Sequence, residues 1–240
     1  MATLTFSSLA GLPDLVHAIS TRATPRDGLP TALGVAGPVV TATQVHGSSI
    51  VAMEDGGTDP GRMSPGNADG LSTNAAGGPL LGVLGADCPG VLLVAPAARA
   101  LMVLHAGWRG VVAGIVPAGL LMMRSRYGAA IDDLHVGIGP GISGARYEVS
   151  EEVGETIAAC VSPEVRDQVL TPGRPGHAHA DLRAAIRAQL EQRGVAPERI
   201  EVHPACTYDD ERFCSYRREG AQADRHLLVA CWRSEDTLAQ

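Results

Sequence analysis

The sequence of 240 residues contains no lysine: all 19 of its basic residues are arginine. Beside 29 glycines, 16 prolines and abundant alanine, this marks a GC-rich coding genome rather than a functional choice. Aromatic residues are also scarce, at 3%, so the core must be assembled from Val, Leu, Ile, Ala and Met. No apolar run approaches the roughly 20 residues that a membrane-spanning helix needs. Residues 1–15 lack the positive stretch and the long apolar stretch of a secretory signal. The five cysteines, Cys88, Cys160, Cys206, Cys214 and Cys231, are odd in number and widely spaced. That pattern excludes a disulfide framework and any local C-x-x-C metal motif, and predicts reduced thiols in a cytoplasmic protein. A net charge of −7 without basic runs excludes nucleic acid or an anionic membrane as the main partner. An anionic small molecule stays within reach, because a local group of arginines can hold phosphate against an acidic background.

What is there is an ordinary globular composition, 45% hydrophobic, sized for a single domain over residues 1–240. The chain is organised around residues 80–110. Two apolar runs, Leu80–Leu84 and Val91–Ala95, flank Ala86-Asp87-Cys88, and a third, Ala100–Leu104, leads into His105-Ala106-Gly107-Trp108-Arg109-Gly110. Short apolar runs bounded by Gly, Pro and Asp read as buried strands, which puts Cys88 and His105 at strand ends. Upstream, Val39–Thr43 reads as another strand, followed by Gln44-Val45-His46-Gly47 and a further strand over Ser49–Met53. One Cys and two His at strand ends are the composition of a catalytic zinc site with an open fourth position. Spacing alone leaves the alternatives standing: a core cysteine, and turn histidines bonded to backbone.

Along the rest of the chain, residues 21–38 read as a loop and Glu54–Asn67 as a surface loop. Asp69 is expected to start a turn before Gly70, with orientation of a metal-bound histidine as the other reading. Apolar residues at helical spacing predict one buried helix from just after Gly110 to about Tyr127, with Trp108 in the core and Arg109 beside an anion site at its start. Leu134–Ile138 reads as a strand, Ser150 as the N-cap of a helix reaching about Cys160, and Asp181–Arg193 as an amphipathic helix capped by Asp181. Glu148 is either a general acid or base, or an arginine's partner. Pro163–Ala180, with His177 and His179, reads as a polar loop. Ile200–His203 and Leu227–Trp232 read as strands. The alternation of strand and helix signals predicts an α+β (mixed α/β) fold with central mixed β-sheets flanked by helices.

TQVHG, ADC before an apolar run, HAGWRG, IGPGISGARYEV and CTYDDERFCSYRREG occur in that order from about Ser20 to the C-terminus. This ordered set resembles the laccase-domain family, whose members are described as multicopper polyphenol oxidoreductases, purine nucleoside phosphorylases, adenosine deaminases and peptidoglycan-editing factors. The resemblance implies the cysteine-hydrolase-like laccase-domain fold. It also implies that His46, Cys88 and His105 bind zinc, the same residues that the strand-end argument selects. The family places a helix after Ser-Thr-Arg; here the stretch after Ser20-Thr21-Arg22 reads as too short for one.

A metal held this way could activate water near neutral pH. The activities implied by the resemblance are adenosine phosphorolysis and deamination, with methylthioadenosine phosphorolysis beside them. Arg109 and one of Arg217 or Arg218 would hold phosphate, since adjacent residues of a regular element face different ways. The alternative is a Cys-His hydrolase, with Cys88 as nucleophile and His46 or His105 as base, acting as an amidase on misincorporated peptidoglycan precursors. Copper polyphenol oxidation fits less well, because the eight histidines do not suggest a blue-copper site, and copper stands behind zinc as the metal. The expected partners are a purine nucleoside and phosphate, the expected state a monomer or small homo-oligomer.

Overall fold

The computed structural model describes residues 3–24, 26–53 and 65–234. Most of the surface loop expected over Glu54–Asn67 therefore lies outside the described residues. Strands run over Thr3–Leu4 (β1), Leu15–Ser20 (β2), Val39–Val40 (β3), Ile50–Ala52 (β4), Gly70–Thr73 (β5), Leu80–Gly85 (β6) and Gly90–Ala95 (β7). They continue over Ala100–His105 (β8), His135–Ile138 (β9), Glu148–Ser150 (β10), Leu170–Pro172 (β11), His177–Ala180 (β12), Ile200–Val202 (β13) and His226–Trp232 (β14). Helices run over Leu29–Leu33 (α1), Trp108–Val112 (α2), Ile115–Tyr127 (α3), Glu151–Ala158 (α4), Arg166–Val169 (α5), Leu182–Glu191 (α6) and Tyr216–Glu219 (α7).

The strands build a five-stranded sheet in the order β1-β2-β14-β6-β3, a six-stranded sheet in the order β13-β9-β7-β8-β5-β4, and a three-stranded sheet in the order β10-β12-β11. Both large sheets are mixed: β3 runs parallel to β6, β4 to β5 and β13 to β9, whereas the other pairs are antiparallel. The fold is thus the mixed α+β arrangement that the sequence predicts.

Side-chain alternation explains why the central strands read as unbroken apolar runs. In β8, Leu101 and Val103 face Leu92 and Val94 of β7, Leu81 and Val83 of β6, and Leu228 and Ala230 of β14. The intervening Ala100, Met102 and Leu104 pack with Ile115 and Met123 of α3, Ile157 of α4 and Ile186 of α6. The two large sheets therefore pack face to face, with helices behind the six-stranded one. On the outer face of the five-stranded sheet, Val16, Ala18, Leu227 and Val229 are covered by Leu29 of α1. A strand buried on both faces has no polar positions to spare. Each fully buried Leu or Val contributes about 1.5–3 kcal/mol.

Three expectations give way. The stretch after Ser20-Thr21-Arg22 does hold a helix, α1, short enough to fit because Pro30 starts it and Gly34 ends it at φ 64°. The helix expected from just after Gly110 is instead two. α2 begins at Trp108, and Gly114 at φ 84° breaks the chain before α3. The break places Pro117 in the first turn of α3, where a missing N–H costs nothing. The polar loop over Pro163–Ala180 contains α5, β11 and β12. In β12, Ala178 and Ala180 are buried while His177 and His179 are half-buried, a period of two that small alanines disguise.

Elsewhere the local signals hold. Ser150 caps α4 by accepting from Val153 N–H, and Asp181 caps α6 by accepting from the N–H groups of Arg183 and Ala184. No helix among the described residues is long and apolar enough to cross a membrane.

Candidate metal centre

The antiparallel register of β7 and β8 sets Gly90 opposite His105. Cys88 lies two residues before Gly90, so the pairing carries it to the end of β8. Asp69, fully buried just before β5, fixes His105 twice. Its carbonyl accepts the His105 backbone N–H at 2.7 Å, and its Oδ1 lies 2.9 Å from His105 Nδ1. The same carboxylate accepts the backbone N–H groups of Val45 (3.2 Å), His46 (2.9 Å) and Gly47 (2.7 Å). His46 adopts φ 60°, a left-handed conformation that His tolerates better than most side chains. One buried carboxylate therefore shapes the His46 turn and orients His105. Asp69 was expected first as a turn former, with orientation of a histidine as the other reading; the structure places it in the second role.

Gln44 holds the other end of the same turn. Its Nε2 donates to Leu84 O at 2.9 Å, and its Oε1 accepts from Leu84 N–H at 2.7 Å. The Gln44 side chain thus bonds the backbone of β6 beyond the end of β3 at Val40, while the Thr43 backbone pairs with Asn67 instead.

His46, Cys88 and His105 converge, each with one donor atom, and these atoms lie within 4.8 Å of one another. The two imidazole rings meet edge to face, with centroids 4.8 Å apart. A Cβ on Gly107 would stand 2.9 Å from Cys88 Sγ and 3.1 Å from His46 Cδ2, so the glycine keeps open the space between two ligand side chains. With Nδ1 engaged by Asp69, His105 presents Nε2. A thiolate and two imidazoles in this arrangement fit a metal ion, with the buried Asp69 carboxylate holding one of the histidines from behind.

The electrostatics agree with that donor set. Burial alone would push the Cys88 thiol up, but His105 and His46 outweigh it and bring the thiol down to about 7. Burial likewise opposes charge on His105, yet Asp69 and Cys88 raise it to about 9. Burial also works against the Asp69 carboxylate, whose hydrogen bonds from His105 and Gly47 hold it below the usual carboxylate range. The sulfur is thus a ready thiolate near neutral pH, the form that binds metal and attacks electrophiles.

The three residues sit on the wall of a cavity of about 650 Å³ that also includes Trp108, Arg109, Tyr147, Arg217 and Arg225. Trp108, expected as core, is half-buried: it packs on the helix side of the six-stranded sheet and also lines the cavity. The exposed Arg109 lies 4.5 Å from its ring centroid. Arg217 lies 5.2 Å from the Tyr147 ring centroid and donates to Glu148 O at 2.9 Å. Its neighbour Arg218 points elsewhere, donating to the carbonyls of Thr207 (2.6 Å), Tyr208 (2.8 Å) and Phe213 (2.7 Å) and pairing with Glu219. Arg22 also pairs with Glu219. The structure therefore brings together His46, Cys88, His105, Arg109 and Arg217, and leaves Arg218 and Arg22 outside the cavity.

Glu148 pairs with Arg174 at 2.9 Å and does not line the cavity. His177 Nε2 lies 3.0 Å from Arg174 Nη2, and His179 Nδ1 lies 3.2 Å from Gly144 O. Neither joins a metal-ligating group among the described residues. Tyr147, Tyr216 and Arg225 also line the cavity and have no role in the sequence reading. Burial and the nearby Cys88 push the Tyr147 phenol up to about 12, so it stays a donor.

Residues 21–233 match the model of a family described as multi-copper polyphenol oxidoreductase laccase. The chain is 36% identical over 207 residues to the purine nucleoside phosphorylase YlmD of Geobacillus stearothermophilus, spanning 82% of this chain and 73% of that protein. It is 35% identical over 240 residues to a purine nucleoside phosphorylase of Synechocystis, spanning 90% and 88%. The crystal structure of Geobacillus stearothermophilus YlmD superposes with a TM-score of 0.83 at 28% identity, covering 93% of each chain.

Proposed function

Since the chain belongs to the multi-copper polyphenol oxidoreductase laccase family, we propose that it is a zinc-dependent purine nucleoside phosphorylase that also deaminates adenosine. The observation that carries this reading is the meeting of His46, Cys88 and His105 on the wall of a cavity that also holds Arg109 and Arg217. The names of its relatives supply the substrate class. Methylthioadenosine is a second substrate for phosphorolysis. The enzyme is cytoplasmic, acts on small molecules, and works as a monomer or small homo-oligomer.

One thiolate and two imidazoles with an open fourth position are a catalytic zinc donor set, and zinc, when bound, would supply a Lewis acid. The protein's own residues do the rest. Asp69 fixes the His105 tautomer, with the proton on Nδ1 and Nε2 free. Arg109 and Arg217 neutralise the phosphate dianion and hold it on one wall. In phosphorolysis a phosphate oxygen bonds to C1′ of the ribose, the C1′–N9 bond breaks, and the purine leaves with the electron pair. Tyr147, protonated at neutral pH, donates a hydrogen bond into the cavity without competing as a base.

The test pairs metal analysis with product analysis. Tag-free wild type is expected to carry about one zinc per chain, a ratio set by the one three-donor group among the described residues, and Cys88→Ala to carry none. Adenosine with phosphate should give adenine and ribose 1-phosphate, and adenosine without phosphate should give inosine. Metal-replete protein that yields none of these products sinks the reading.

A second reading rests on the thiol at about 7 beside an imidazole at about 9. Cys88 would then act as the nucleophile of an amidase on peptidoglycan precursors, with His105 returning the proton to the leaving amine. Wild type free of metal, with Cys88 alkylated rapidly, would favour it.

A further inference from the structure

Asp87 precedes Cys88 and is 9% exposed, yet its carboxylate does not join the metal group. Oδ1 accepts from Thr207 Oγ1 at 2.6 Å, and Oδ2 accepts from the Arg217 backbone N–H at 2.6 Å. Its backbone sits at φ 87°, left-handed for a residue with a side chain, which costs about 1 kcal/mol or more and persists only where the surroundings enforce it. Here the enforcement is visible: Ile142 N–H donates to Asp87 O at 3.0 Å, closing the loop from the other side.

Arg217 is where this bond acts. It is the second residue of α7, a helix of four residues whose N-cap, Ser215, accepts from Arg218 N–H. The Arg217 N–H belongs to the first turn, where no carbonyl of the helix can reach it. Asp87 is the acceptor it finds. The other hydrogen bond of Arg217 is Nη1 to Glu148 O, on an exposed side chain. The carboxylate beside Cys88 is thus the buried anchor of an arginine that lines the same cavity.

We propose that Asp87 is a positioning residue that fixes Arg217 relative to Cys88, and so sets the spacing between the metal ligands and the anion-binding wall. The part of this that concerns phosphate rests on the phosphorylase reading above. Asp87 lines the same cavity but is not one of the metal-ligating residues, and both of its carboxylate oxygens are engaged by Thr207 and Arg217; it acts through the backbone of Arg217. Thr207 and Asp87 together hold one end of α7, and Arg218 holds the other by its three carbonyl contacts.

The experiment compares Asp87→Gly, Asp87→Asn and Thr207→Val in the zinc-loaded full chain. Glycine accepts the left-handed backbone without strain and deletes the carboxylate. Asparagine, with its carbonyl turned to Arg217 and its amide to the Thr207 hydroxyl, is the conservative rescue. Thr207→Val removes one partner and leaves the Arg217 bond. Two readouts are taken: the KM for inorganic phosphate against kcat, and hydrogen exchange at the Arg217 amide.

Asp87→Gly is expected to raise the phosphate KM roughly tenfold, the size of one lost hydrogen bond, with kcat at saturating phosphate within about threefold. Exchange at Arg217 should quicken by a similar factor while zinc content holds. Asp87→Asn and Thr207→Val should stay close to wild type in both. Asp87→Ser, too short to reach Arg217, replaces the glycine variant if that one does not fold. An unchanged phosphate KM, or KM and kcat falling together with Arg217 exchange unmoved, overturns the proposal. If wild type performs no phosphorolysis, the phosphorylase reading fails, and exchange at Arg217 alone decides whether Asp87 anchors it.

Discussion

Asp69 grips His105 at two points, its carbonyl on the backbone N–H at 2.7 Å and its carboxylate on the ring at 2.9 Å. The same carboxylate ties the His46 turn, so two of the three candidate ligands answer to one buried residue. Asp69→Asn is expected to weaken zinc binding about 10- to 100-fold, as losses behind metal-bound histidines do. Competition against a chelator of known affinity measures it.

In metal-stripped protein, iodoacetamide should label Cys88 with a midpoint near pH 7, because only the thiolate reacts. Cys231, buried and pushed up to about 11, should stay unlabelled across the neutral range. Added zinc should protect Cys88. Peptide mass spectrometry at stepped pH reads both sites in one sample, and equal labelling of the two cysteines would contradict the assignment.

Gly107→Ala forces a methyl group to within 2.9 Å of Cys88 Sγ. The site must spread, while the sheets beneath are untouched. Zinc affinity should fall by about tenfold or more with the melting temperature shifted by only a few degrees. Calorimetry on metal-free protein separates the two effects.

The adjacent arginines should part company on mutation. Arg217→Gln is expected to raise the phosphate KM about tenfold with little change in stability. Arg218→Gln removes a donor from three backbone carbonyls, of which Phe213 O keeps Arg22, and should destabilise the fold by about 1–3 kcal/mol with a smaller effect on KM. Urea unfolding and phosphate titration of each variant give the comparison.

Stability should decline in mild acid because of His226. This histidine is buried on β14 against Phe213, and burial lowers it from 6.5 to about 4. The unfolded chain takes up the proton first as pH falls. The stabilisation from the neutral ring is therefore complete above pH 6.5 and drains away between 6.5 and 4. The slope is about 1.4 kcal/mol per pH unit, or about 2 kcal/mol by pH 5. His105, raised to about 9, works in the opposite direction over this range, so the His226 contribution is read as a difference: His226→Gln should change the gap between unfolding free energies at pH 7.5 and 5 by about 2 kcal/mol relative to wild type.

Much of this was legible in the chain. The runs around Cys88 and His105 announce buried strands because both faces of β7 and β8 are covered, and the caps at Ser150 and Asp181 are local chemistry that needs no tertiary context. The candidate ligands could be named because each closes a strand or turn and because the ordered motifs around them resemble a known family. Non-local contacts escaped. Asp69 reads as a turn former or as a support for a histidine, and nothing near it in sequence decides between them, because the pairing of β5 with β8 that carries it to His105 is non-local. Asp87 and Arg217 are 130 residues apart, and only the closed fold makes them neighbours. In β12 the apolar positions are alanines, too small to stand out against the histidines between them.

The two stretches that hold His46 and Cys88 are also the places where the chain leaves one large sheet for the other, between β3 and β4 and between β6 and β7. His105 closes a strand of the second sheet. An ion bonded to all three would act as a rivet through both layers. Neither sheet could slide or peel without releasing it, so metal affinity would reappear as a slower rate of unfolding, and chelation would shorten the lifetime of the folded chain before it altered its shape.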